Sequence, residues 1–271
     1  MHKLLLVLAI IFLQLETRSQ WSTASPQVQI MDTSFPMKSL GRERRICIYL
    51  PADYNNSNRR YPVLYMHDGQ NLFDNRTSFM GEWGVDEMLD EQRVPYIVVA
   101  VDNGGDRRMN EYNPFDNERF GKGEGAAYLE FLVKELKPYV DRHYRTLKKA
   151  RYTAIAGSSM GGLISFYAGV WYPSSFGQIG VFSPSFWIQP GPDTHAAQAL
   201  NRRRHGRQQY YFYAGARESQ TMVLDMEKVI SSLQTVVPPA QIEKRISPIG
   251  EHNEMAWRLE MPRFLNWLKK P

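Results

Sequence analysis

Short apolar runs with no polar face constrain this chain more than any other feature. Ile97-Val98-Val99-Ala100-Val101 is the clearest. A strand of that kind must be covered on both sides, which points to a parallel sheet between helices rather than a sheet with one wet face. Candidate covering helices are present. Strand-like runs at 45–50, 62–67, 96–101, 152–156, 178–182, 209–214 and 242–246 alternate with helical patterns at 84–91, 124–144, 160–172, 222–235 and 255–269. The alternation predicts an α/β fold, a mostly parallel central sheet with helices on both faces. Two stretches have neither period. Residues 103–124 are rich in Gly, Asp, Asn and Arg, and residues 189–208 are polar with two prolines. Ligands of open parallel sheets bind beyond the carboxyl ends of the strands, so the first stretch, which follows the run ending at Val101, is expected on the functional edge. The second precedes a strand and reads as a surface connection.

Hydrophobic residues make up 43% of the 271 and charged residues 23%, the balance of an ordinary folded protein. His2 and Lys3 precede an unbroken apolar run from Leu4 to Leu13. That run is too short to span a bilayer but suits a secretory signal. Residues 1–20 are therefore expected to be a signal peptide and 21–271 one domain, secreted or periplasmic. No cysteine closely follows the run and no later segment reaches membrane-spanning length, so no stable membrane anchor is expected. Cys47 is the only cysteine, which excludes an intramolecular disulfide; its neighbours Ile46 and Ile48 make it read as a small buried hydrophobe. The net charge is +5, part of it in Arg202-Arg203-Arg204-His205-Gly206-Arg207. Without a nucleic-acid motif this run reads as a solvated face, and nucleic acid is not expected as a partner.

The chemistry is concentrated in Tyr152-Thr153-Ala154-Ile155-Ala156-Gly157-Ser158-Ser159-Met160-Gly161-Gly162-Leu163. Gly157, Ser159 and Gly161 form Gly-x-Ser-x-Gly between an apolar strand and an apolar helix. A serine there sits on a tight turn with its hydroxyl exposed, while the glycines let neighbouring backbones approach. Ser158 should point away, and Ser183 and Ser185, without flanking glycines, read as structural. A serine hydroxyl needs a base. Of six histidines, His252 falls in a loop after the last strand and before the last helix, as the order nucleophile, acid, histidine requires. The acid should follow the strand at 209–214, where Glu218 fits and Asp225, about two turns farther on, is the rival. Two oxyanion donors are expected, the N–H of Met160 and that of Gln70, in the turn His67-Asp68-Gly69-Gln70-Asn71. His67 and Asp68 lack further ligands to complete a metal shell, and neither metal nor cofactor is expected.

These motifs resemble the putative esterase family of α/β hydrolases. The resemblance runs from residues 61–74 through Trp83 and Arg108-Met109-Asn110-Glu111-Tyr112 to 157–162 and 250–257. The family includes siderophore trilactone esterases, feruloyl and acetyl-xylan esterases, S-formylglutathione hydrolases and mycolyltransferases. It implies the α/β-hydrolase fold and a serine carboxylic ester hydrolase acting through an acyl-enzyme. It also implies the Gln70 and Glu218 roles, although the mycolyltransferase branch places its acid deeper in the following helix, which keeps Asp225 open. It implies substrate contacts from Trp83 and from Arg108, with Arg107 an equally close neighbour. The substrate expected is a small-molecule or oligosaccharide ester, a carbohydrate-linked acetyl or feruloyl ester, with a catecholate trilactone as the alternative.

Overall fold

The computed structural model describes residues 21–188 and 208–269. The expected signal (1–20), the second loop-like stretch up to residue 207 and the basic run at 202–207 lie outside them. An eight-stranded sheet runs in the order β1-β2-β4-β3-β5-β6-β7-β8. The strands are β1 Val28–Met37, β2 Arg42–Tyr49, β3 Val63–His67, β4 Ile97–Val101, β5 Thr153–Ser158, β6 Gln178–Phe182, β7 Gln209–Gly215 and β8 Ile242–Ser247. β1 and β2 are antiparallel to their neighbours, and every pairing from β4 through β8 is parallel.

The pleat of the sheet sorts the apolar runs onto two faces. Val63, Tyr65, Ile97, Val99, Ile155 and Val181 enter one core, and Leu64, Met66, Val98, Ala100, Ala154 and Ala156 enter the other. Successive residues of one strand thus serve opposite cores, which is why the runs have no polar phase. Helices cover both faces. Gly125–Phe131 (α3), Lys137–His143 (α4), Met160–Trp171 (α5) and Met222–Leu233 (α6) pack on the first core. Val85–Gln92 (α1) and Glu254–Leu268 (α7) pack on the second. A short α2, Arg108–Glu111, interrupts the stretch expected as loop. Among the described residues no helix is long and apolar enough to cross a membrane.

Two further features depart from the sequence expectation. β1 was not anticipated, because only Phe35 and Met37 of its ten residues are buried and no periodic pattern marks it. The helix expected at 124–144 is continuous but widens into a π turn over Leu132–Leu136 between α3 and α4. Pro138 lies in the first turn of α4. It has no N–H and its ring crowds the carbonyl four residues back, so the ladder loosens there.

Candidate active site

Ser159 stands between the end of β5 and the start of α5 with φ 57° and ψ −121°, a conformation that costs a non-glycine residue energy. Neighbouring glycines are what make the bend possible. A Cβ on Gly157 would lie 2.9 Å from the Gly161 carbonyl carbon, and one on Gly162 would lie 2.6 Å from Phe182 O. The bend is tied down by Ser159 N–H donating to Phe182 O at 2.9 Å. Met160 opens the helix, so its N–H has no acceptor within α5.

The loop after β7 and the loop after β8 meet beside this bend. A Cβ on Gly215 would fall 2.2 Å from Gly250 O, and only glycine lets the two loops approach so closely. Arg217 N–H donates to Gly250 O at 3.1 Å. The contact brings the fully buried Glu218 carboxylate to His252, with Oε2 2.8 Å from Nδ1. Glu218 Oε1 accepts from Ser183 Oγ at 2.6 Å and from Gly215 N–H. His252 immediately precedes Asn253, whose side chain caps α7 by accepting from Ala256 N–H at 2.9 Å. The Trp257 ring meets the imidazole at 5.2 Å between ring centroids, with the planes at 85°. Asp225 is elsewhere, in the first turn of α6 and paired with Lys228 at 3.3 Å. Among the described residues the Ser159 hydroxyl meets not His252 but Ser185 Oγ, at 3.2 Å.

Gln70 occupies a 3₁₀ turn, Gly69–Asn71, directly after β3. β3 and β5 are parallel neighbours with Met66 opposite Ala156, so this turn and the serine bend leave the same sheet edge side by side. Asp68 leads into the turn at φ 56°, and a Cβ on Gly69 would come within 2.8 Å of the Ala100 backbone. Arg108 closes both arms of its guanidinium on Asp68, Nε to Oδ1 at 2.6 Å and Nη2 to Oδ2 at 2.8 Å, and Asn103 adds a bond of 2.7 Å. Burial works to raise the Asp68 pKa, but Arg108 and Asn103 outweigh it and hold the carboxyl below its usual range. Arg107 is exposed. Glu111 pairs with Arg42 and Arg44 instead of either arginine. Buried His67 meets Tyr128 Oη through Nδ1 at 2.9 Å.

One expectation is corrected outright. Trp83 is 3% exposed and packs on Phe182 and Trp257 at centroid distances of 5.3 and 5.5 Å, so it lies beneath the site rather than on a surface that could touch substrate. Its large apolar ring is worth more buried than wet.

The family described as "Putative esterase" matches residues 37–268. The chain belongs to this esterase family. Among its relatives, the uncharacterized protein YbbA of Bacillus subtilis is 30% identical over 157 residues, 56% of this chain and 60% of that one. An endo-1,4-beta-xylanase/feruloyl esterase of Xylanibacter ruminicola is 30% identical over 163 residues, 57% of this chain and 21% of that one. The crystal structure of the enterobactin esterase FES of Shigella flexneri matches with a TM-score of 0.72 at 21% identity, covering 92% of this chain and 61% of that one. The chain therefore spans about three fifths of the first relative and less of the second. The common architecture is the α/β-hydrolase fold.

Within this esterase-family site, Ser183, Ser185 and the Asp68–Arg108 pair escaped sequence reasoning. The available signal was strand order. Once β6 is set beside β5 and β7, the residues just past Phe182 must emerge between the serine bend and the acid loop.

Proposed function

We propose that this protein is a serine carboxylic ester hydrolase with Ser159 as nucleophile, His252 as base and Glu218 as the acid that orients it. The observation that carries the reading is the convergence on one sheet edge of a positive-φ serine at a helix start and a buried Glu218 carboxylate 2.8 Å from the solvent-facing His252 imidazole. In this reading Ser159 Oγ attacks the ester carbonyl as His252 takes its proton, and Glu218 stabilises the resulting imidazolium. The oxyanion is met by the N–H groups of Gln70 and Met160, fixed in place before the charge develops. Collapse expels the alcohol, which takes the proton from His252, and water then releases the acyl group by the same route. Ser159 Oγ rests against Ser185 Oγ at 3.2 Å, and its bond to His252 closes around substrate.

For the substrate we infer a carbohydrate-linked acetyl or feruloyl ester, supported by the Xylanibacter relative. The likeness to the enterobactin esterase supports a catecholate trilactone as a second reading. Export to the periplasm or medium is proposed on the apolar run at residues 4–13 alone. The test of the mechanism is Ser159→Ala assayed on p-nitrophenyl acetate, acetyl-xylan, methyl ferulate and a catecholate trilactone. Loss of about 10⁴-fold or more in kcat on every ester the wild type cleaves is expected, with the melting temperature retained. A folded Ser159→Ala protein with wild-type rates would overturn it.

A further inference from the structure

Ser183 sits one residue past β6 with φ 43°, a strained conformation for serine, and is fully buried. Residues persist in such backbone conformations where the surroundings over-determine them, and here the surroundings are specific. Ser183 N–H donates to Tyr213 O at 2.7 Å, which fixes the residue between β6 and β7. Its hydroxyl has two partners. Trp257 Nε1 donates to Oγ at 2.9 Å, and Oγ donates to Glu218 Oε1 at 2.6 Å. An indole N–H can only donate, and a serine hydroxyl has a single proton. With Trp257 supplying one bond to Oγ, that proton is directed at the carboxylate.

We propose that Ser183 is a positioning residue for the acid, and that Trp257 orients its hydroxyl and the base together. The inference rests on Glu218 and His252 acting as the acid and base proposed above. Ser183 and the Gly215 N–H occupy Oε1, which leaves Oε2 to His252 Nδ1. A carboxylate gripped on one oxygen cannot rotate the other away from the imidazole. Trp257 closes the arrangement, since its N–H fixes the Ser183 proton while its ring stands at right angles against His252 and packs, tilted, on buried Trp83. One side chain of α7 thus holds the acid through Ser183 and the base through ring contact.

The test uses Ser183→Gly, which removes the hydroxyl while relaxing the positive φ that serine endures, so the fold should hold. kcat should fall about ten- to hundred-fold, the worth of a hydrogen bond to a charged group, with KM within about two-fold. Repeating the change in a Glu218→Gln background should cost less than about two-fold more, because the group being positioned has lost its charge. Trp257→Phe keeps an aromatic ring and removes the N–H together with the fused five-membered ring; a loss of about three- to ten-fold is expected, and with its melting temperature retained this variant decides the matter if Ser183→Gly melts far below wild type. Wild-type kcat in both variants overturns the proposal, as does a Ser183→Gly loss of equal size with and without the Glu218 carboxylate. Ser159→Ala in the same assay keeps the two readings apart. If it is dead while Ser183→Gly is unimpaired, only the positioning role fails; if it is active, the mechanism beneath it fails.

Discussion

Arg108 spends its guanidinium on Asp68, and Asp68 begins the turn that presents the Gln70 N–H. A substitution there should therefore act through the turn before it acts on any substrate contact. Arg108→Ala is expected to lower kcat on p-nitrophenyl acetate and on a bulky feruloyl ester alike, by roughly ten-fold, measured as a pair of initial-rate curves. Selective loss on the bulky ester would assign the arginine to recognition instead. Glu218→Gln should slow hydrolysis by about 10²–10⁴-fold while Asp225→Asn leaves it near wild type, since Asp225 pairs with Lys228 within α6. The bend at Ser159 and the meeting of Glu218 with His252 were legible because a motif and a chain order name them. Ser183, Ser185 and Asp68 were not. Their contacts join residues 26 to 40 positions apart through neighbouring strands and loops, and no local pattern records that. Trp83 misled for a related reason, since an aromatic residue near a motif looks the same in sequence whether it faces ligand or core.

At the scale of elements, the start of α7 matters most, because His252 stands just before its cap. Asn253→Ala should cost about 1 kcal/mol in denaturant unfolding, the usual worth of a lost N-cap. It should also reduce kcat, as the turn that holds the imidazole loosens. Unchanged stability with unchanged rate would mean the cap is redundant here. The elements themselves were readable in proportion to burial. β3, β4, β5 and β6 are buried throughout, and their apolar runs give them away to within two residues. β1 is read by its pairing with β2 and by little else, since its exposed residues obey no face. The π turn shows the opposite limit, because the apolar pattern of 124–144 reports that a helix is present and not how tightly it winds.

In mild acid two buried groups pull the stability of the molecule as a whole in opposite directions. Burial pushes the His67 pKa down to about 4, so the folded protein keeps this imidazole neutral where the unfolded chain would protonate it. That contribution is complete above about pH 6.5 and is lost as the pH falls toward 4, amounting to roughly 3 kcal/mol. Asp86 works the other way, burial raising its pKa to about 8, so its share of stability is lost as the pH rises. Comparing wild type with His67→Gln isolates the histidine. The variant's unfolding free energy should show a shallower fall between pH 6.5 and 4, and parallel curves would clear His67 of the effect. The two rims of the sheet bear on a different kind of durability. β8 exposes Glu243, Lys244 and Arg245 in succession, and β1 shows the register irregularities of a bulged edge and carries Pro36, which has no N–H to offer. A rim that is charged at one end and kinked at the other gives a second copy no straight ladder to join. At the concentrations of an industrial preparation, strand-by-strand polymerisation from the native state should find no foothold, and clumping, where it occurs, should begin with unfolding.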